Sequence, residues 1–189
     1  MTHSDIPHGQ QPRTRVGALL LLTDPEDHLV LIQPRYKEGL SLVGRARHED
    51  ESPREAARRE SREEIGFEIV PGRKLLDYYS PPNPKSGAEA GVNYVYDGGH
   101  LTEDQLDSIT LGVDEVLDWD RIDESRLDHF TTESHAVIIR AALEARQLSR
   151  HFDLEFARTS RGGLTLVHQA EGHDDIPGLR GKRRAKGVA

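Results

Sequence analysis

The apolar positions along the chain first repeat with the period of a strand. Residues 1–13 are polar and hold two prolines, the composition of a flexible leader. Val16 to Thr23 is apolar, Asp24-Pro25-Glu26-Asp27 is a turn signal, and Leu29 to Ile32 is a second apolar run, so the pattern predicts a hairpin. Gln33 to Gly39 reads as a loop and Leu40 to Val43 as a short extended segment. Between Ser52 and Gly66 the period becomes helical. Ser52, Pro53 and Glu55 form a capping box with proline at the first helical position, and Gly66 supplies the stop. Side chains advance by about 100° per residue, so Ala57, Ser61 and Ile65 share a packing face. Glu60, Glu63 and Glu64 crowd the adjoining arc, and Arg58 and Arg62 face solvent.

Beyond the helix, Phe67 to Val70 reads as extended and Leu75 to Ser80 as a strand. The proline-rich stretch Pro81 to Gly87 must be a loop. Val92 to Tyr96 is strand-like and ends at an Asp97-Gly98-Gly99 turn. Thr102 to Ile109 predicts a helical turn or two from a threonine cap, and Val116 to Ile122 a late strand. Ala136 to Gln147 has helical spacing. Leu154 to Ala157 and Leu164 to His168, separated by Arg161-Gly162-Gly163, suggest a C-terminal hairpin. The resulting division is a leader at 1–13, a main domain at 14–149, a hairpin extension at 150–170 and a flexible basic tail at 171–189. Trp119 and the strand tyrosines Tyr78, Tyr79, Tyr94 and Tyr96 are expected to pack, and His135 to be solvated.

Composition narrows the chemistry. A chain of 189 residues, 35% hydrophobic and 31% charged, suits one well-cored domain with extensions. No apolar run approaches the ~20 residues that span a bilayer, so a membrane is not an expected partner. The start is polar, without the apolar core of a signal peptide. Absence of cysteine removes disulfides, thiolate metal sites and cysteine nucleophiles and fits the cytoplasm. The net charge of -8 includes Arg180, Lys182, Arg183, Arg184 and Lys186 near the end, so the remainder is more acidic still and repels nucleic-acid backbones.

Three carboxylates at helical spacing repel one another unless a cation sits among them. Oxygen ligands with no sulfur or imidazole suit Mg²⁺ or Mn²⁺, which commonly bridge carboxylates to phosphates. The stretch from residue 45 to 67 resembles the Nudix box, Gly-x5-Glu-x7-Arg-Glu-U-x-Glu-Glu-x-Gly-U with U aliphatic. Anchored on Gly66, the matching residues are Glu51, Arg59, Glu60, Glu63, Glu64, Gly66 and Phe67. Two positions depart from it: Arg45 stands where the first glycine belongs, with Gly44 one place early, and Ser61 stands at an aliphatic position.

The resemblance implies an α/β Nudix fold, a mixed sheet sandwiched between helices, and hydrolysis of a nucleoside diphosphate joined to another group. It implies Glu60, Glu63 and Glu64 as metal ligands, with Glu60 and Glu63 closest to catalysis and Glu63 either a ligand or the base acting on water. Glu51 and Arg59 would brace the site as a carboxylate–guanidinium pair. At Arg45, a side chain either blocks a positive φ or donates to phosphate. Acids outside the box, Asp97, Glu103, Asp104, Asp114 and Glu115, are unranked candidates for a further ligand or base. Pro82 lies fifteen positions past Phe67, a spacing often seen in family members acting on ADP-ribose. The partner is a small-molecule nucleotide, and a homodimer is left open. The competing readings are a degenerate domain that binds a nucleotide and regulates, and an isomerase, which typically needs a cysteine.

Overall fold

Alternation within the first apolar run sets the layers. In β1 (Arg15–Thr23) Ala18, Leu20 and Leu22 pack into one hydrophobic cluster, while Leu19 and Leu21 face a second. Apolar residues on both faces mark a strand with neighbours above and below. The computed structural model describes residues 13–160 and 162–171. Leader residues 1–12, Arg161 and the basic tail from 172 lie outside the described residues.

The remaining elements are β2 (Leu29–Pro34), β3 (Val43–Ala46), α1 (Pro53–Ile65), β4 (Lys74–Ser80), β5 (Gly91–His100), α2 (Glu103–Asp107), β6 (Val116–Ile122), α3 (Leu127–Phe130), α4 (Glu133–Gln147), β7 (Phe152–Arg158) and β8 (Leu164–Glu171). The strands form one mixed sheet in the order β6-β2-β1-β5-β4-β7-β8. β5 runs parallel along the whole of one edge of β1. The other edge is shared: β2 pairs antiparallel at Thr23–Leu29, and β3 takes Gly17 to Leu20. One face packs on α1 through Ala56, Ala57 and Ile65, the other on α4 through Ile138, Ile139 and Ala142. The mixed sheet between helices is thus the predicted α/β architecture.

Several boundaries differ from the pattern, each for a tertiary reason. Phe67 to Val70 is not a strand; only Ile69 is buried there. The expected turn at Asp97-Gly98-Gly99 is a bulge inside β5, where Leu21 pairs with Asp97 but Leu22 with Gly99. Parallel pairing with β1 carries the strand on, and Gly99 absorbs the extra residue at φ +80°. α4 starts at Glu133 because Thr132 caps it, its hydroxyl accepting from the His135 N–H. The extended segment at Leu40 to Val43 resolves into a bridge from Ser41 to Ile32 followed by β3.

The C-terminal hairpin continues the main sheet. β7 pairs in parallel with β4 from Leu76–Phe152 to Tyr79–Glu155, and β8 pairs antiparallel with β7. Phe152, Leu154 and Phe156 are buried with α4, and the Phe156 ring meets Tyr78 edge-on at 6.0 Å. Phe156→Ala should therefore cost about 3–5 kcal/mol, a fall in Tm on the order of 10 °C for a domain this size. Thermal melting followed by circular dichroism checks this, and an unchanged Tm would mean that the hairpin is not part of the core.

Candidate metal centre and adjoining cavity

The site begins at the ends of α1. Ser52 and Glu55 make the reciprocal capping box and Pro53 opens the helix, while Gly66 closes it at φ +88° with its N–H on the Arg62 carbonyl. The helix so fixed turns Glu60 and Glu64 into the sheet, where both are almost wholly buried. The Gly44 N–H donates to Glu64 Oε2 at 2.6 Å, joining α1 to β3. Gly44 sits at φ +120°, and a Cβ there would lie 2.2 Å from the Ala18 carbonyl oxygen. Only glycine fits.

Glu115 completes a trio. One carboxylate oxygen from each of Glu60, Glu64 and Glu115 lies within 4.8 Å of the others. The loop before β6 delivers Glu115: Thr110 N–H donates to Ile65 O, Gly112 N–H to Glu64 O, and Arg35 N–H to the Glu115 carbonyl. Glu60 Oε2 and Glu115 Oε2 are buried with no hydrogen-bond partner among the described residues. Burial pushes the Glu64 carboxyl up to about 8, with Glu60 and Glu115 adding repulsion and the Gly44 N–H opposing it. Burial likewise raises Glu60, against the pull of Arg59. Orphaned carboxylate oxygens crowded in this way fit a hard dication.

Glu63 lies to one side. Its side chain is 45% exposed and its Oε2 accepts from Arg59 Nη1 at 2.7 Å. The same nitrogen donates to Glu60 Oε1 at 2.8 Å. Arg59 also holds Glu51, from Nε to both oxygens at 3.2 Å and from Nη2 to Oε1 at 2.7 Å, and reaches the Ala46 carbonyl. One guanidinium thus ties the loop before α1 to two acids of the helix.

Both departures from the box have structural explanations. Glycine's conformation is taken by Gly44, and Arg45 has no positive φ, so Arg45 does not strain the turn. Its side chain pairs with Glu115 at 3.2 Å and stacks on Tyr36, 4.4 Å from the ring centroid. Ser61 is fully buried, donates to the Arg58 carbonyl and accepts the Ile69 N–H, each at 2.9 Å. It fastens the chain that leaves the helix.

A cavity of about 370 Å³ opens beside Gly44 and Arg45, on the α4 side of the sheet. Its floor is apolar, with Leu19, Tyr78 and Ile139. Its lining brings in Arg15, Lys37, Arg45 and Arg158 against one carboxylate, Glu89, a basic recess in an acidic chain. His135, expected in solvent, is half-buried in this wall. Burial drives its pKa down to about 3, with Lys37 repelling its charged form. Sequence reading left Glu115 unranked and passed over Arg15, Lys37 and Tyr36; no spacing in the sequence connects these positions. Asp97 instead pairs with Arg146 at 2.8 Å and Glu103 with Arg121 at 2.9 Å. A second acidic group, Asp24, Glu26 and His28, has its buried carboxylate taken up by the turn's own N–H groups.

A family model described as NUDIX domain matches residues 13–142. No curated relative matches the chain. Among solved structures, the MutT protein from Methanosarcina mazei Go1 superposes with a TM-score of 0.59 at 17% identity, over 74% of this chain and 97% of that one. The MutT protein from Bacillus halodurans gives 0.58 at 14% identity, over 84% and 97%. An ADP-ribose pyrophosphatase from Streptococcus suis gives 0.51 at 15% identity, over 71% and 93%. Identities this low speak for the fold.

The geometry separates the two neighbouring positions. Gly44→Ala should lower Tm by at least ~4 °C, since strain alone costs about 1–3 kcal/mol. Arg45→Gly removes a half-exposed ion pair worth at most about 1 kcal/mol and should shift Tm by no more than about 4 °C. Paired thermal melts decide, and the reverse order would show that Arg45 holds the strained turn.

Proposed function

The chain belongs to the Nudix hydrolase family, and from that premise we propose that it cleaves the pyrophosphate bond of a nucleoside diphosphate joined to a second group, with Mg²⁺ or Mn²⁺ held by Glu60, Glu64 and Glu115. The observation that carries this reading is the convergence of three carboxylates, two bearing orphaned buried oxygens, beside a cavity lined by cations. When bound, the dication neutralises phosphate oxygens and lowers the pKa of an attacking water.

The remaining work falls to side chains and one backbone amide. The Gly44 N–H orients Glu64. Arg59 holds Glu51 and Glu60 in place and keeps Glu63 at the margin of the trio, where Glu63 serves as a further ligand or as the base for water. Arg45, free of backbone strain and open to the cavity, donates to a substrate phosphate. The apolar floor takes the nucleoside or its linked group. The Pro82 spacing and the Streptococcus suis neighbour's name make ADP-ribose the first compound to test. Among the described residues no helix is long and apolar enough to cross a membrane.

The test pairs calorimetric Mg²⁺ or Mn²⁺ titration with a panel of nucleotide derivatives whose hydrolysis to two phosphomonoesters is read by chromatography, or as phosphate after added phosphatase. Gln at position 64 still accepts the Gly44 N–H, so Glu64→Gln should leave the metal-free fold intact while weakening metal binding and cutting kcat by roughly 100-fold or more. Glu115→Gln should also weaken metal binding. Equal metal affinity in Glu64→Gln and wild type would sink the ligand assignment. Metal binding without turnover of any nucleotide would instead favour a regulatory domain that binds and does not cleave.

A further inference from the structure

Several cations among the described residues are paired with acids. Arg59, Arg121, Arg140 and Arg146 each lie within 3 Å of a carboxylate oxygen. Lys37, on the loop between β2 and β3, has no carboxylate within 4.0 Å among the described residues. Its Nζ instead lies 3.5 Å from His135 Nε2 and 5.7 Å from the Tyr36 ring centroid. Glu64 attracts it from farther off, while Arg15 and Arg45 repel it, and burial with that repulsion holds its ammonium down to about 8. Gln33 Nε2 donates to the Lys37 carbonyl at 2.9 Å and holds the backbone of the loop in place.

His135 explains the pose. Its Nδ1 lies 2.8 Å from Thr132 Oγ1, the cap of α4, and its neutral ring leaves Nε2 as an acceptor facing the lysine. Ser134 and His135, in the first turn of the fifteen-residue α4, line the same cavity. That places the positive end of the helix dipole behind the ammonium. Lysine, arginines and helix end therefore converge on a space where four cations face a single lining carboxylate, Glu89, an arrangement that is unfavourable when empty and favourable around an anion.

We propose that Lys37, positioned by the neutral His135, grips an anionic oxygen of the substrate on the cavity side, opposite the carboxylate trio. The proposal rests on the nucleotide reading above and adds a contact outside the metal centre. Held between metal-side acids and cavity-side cations, a diphosphate is oriented from both ends. A nucleoside without phosphate gains nothing from Lys37.

Metal-free binding tests this contact apart from the trio. Calorimetry in EDTA, and again in Mg²⁺, uses α,β-methylene-ADP and inorganic pyrophosphate as probes on the full chain. Lys37→Met should weaken both probes by about tenfold in either buffer, as expected for loss of a charge-assisted bond, and Lys37→Arg should restore part of the affinity. His135→Phe should weaken wild type by about threefold and have no effect in a Lys37→Met background, since the histidine acts through the lysine. A folded-state pKa of about 8, below the ordinary 10.5, means that the charge opposes folding at pH 7. Tm of Lys37→Met should therefore equal or exceed that of wild type at that pH. Unchanged affinity in Lys37→Met, or affinity and Tm falling together, would overturn the proposal while leaving the hydrolase reading in place. Failure of wild type to bind either probe in either buffer would overturn both.

Discussion

The hydrogen bond from the Gly44 amide to Glu64 is the constraint on which the site depends. A buried carboxylate needs a donor, and the donor here is a backbone group whose position demands a residue without a side chain. β3 can approach α1 closely because Gly44 lies against the Ala18 carbonyl, inside the edge that β1 leaves open between β2 and its own first half. Widening that contact would lose the amide, and Glu64 Oε2 would be left buried without its donor. The three-way sharing of β1 is thus more than topology. It sets the spacing between the loop that carries Gly44 and the helix that carries the acids.

Electrostatics divide the molecule into two opposed recesses. On the α1 side, Glu51, Glu60, Glu63, Glu64 and Glu115 outnumber the cations that pair with them, Arg59 and Arg45. On the α4 side, cations outnumber acids. Each recess would be costly alone in a folded protein, because like charges brought together out of water raise one another's energy. Gly44 and Arg45 stand at their common border, and Arg45 spans it through its pair with Glu115 and its stacking on Tyr36. The two recesses are therefore opposite in charge and share one border.

Much of this was legible in the residues. Helix α1 with its Ser52 cap and Gly66 stop, the strand at Val116–Ile122 and the pair β7 and β8 follow from local spacing, because capping, turn chemistry and alternation act over a few residues. With the glycine one place early in the box, Arg45 could either block a positive φ or donate to phosphate; the backbone shows that Gly44 adopts the positive φ itself. Glu63 looked equivalent to Glu60 and Glu64 on a helical wheel, yet burial depends on what lies opposite, and only the latter two meet the sheet. Glu115 and Lys37 carry no local signal. Their places are fixed by loops whose hydrogen bonds run to distant strands, and periodicity does not encode such contacts. His135 was misplaced for the same reason, since the cap at Thr132 and the approach of the β2–β3 loop bury it.

The parallel pairing of β7 with β4 has a consequence for how the molecule comes into being. Arg158 and Leu164 follow the rest of the cavity wall along the chain, and β4, with which their hairpin pairs, lies far before them. Contacts so distant along the chain close late in folding. The acidic half of the site, built from β1, β3, α1 and the loop before β6, precedes the hairpin along the chain, whereas the wall of the adjoining cavity stays open on one side until the hairpin docks. A ribosome-bound intermediate would hold the charged centre before it held the means to choose what enters.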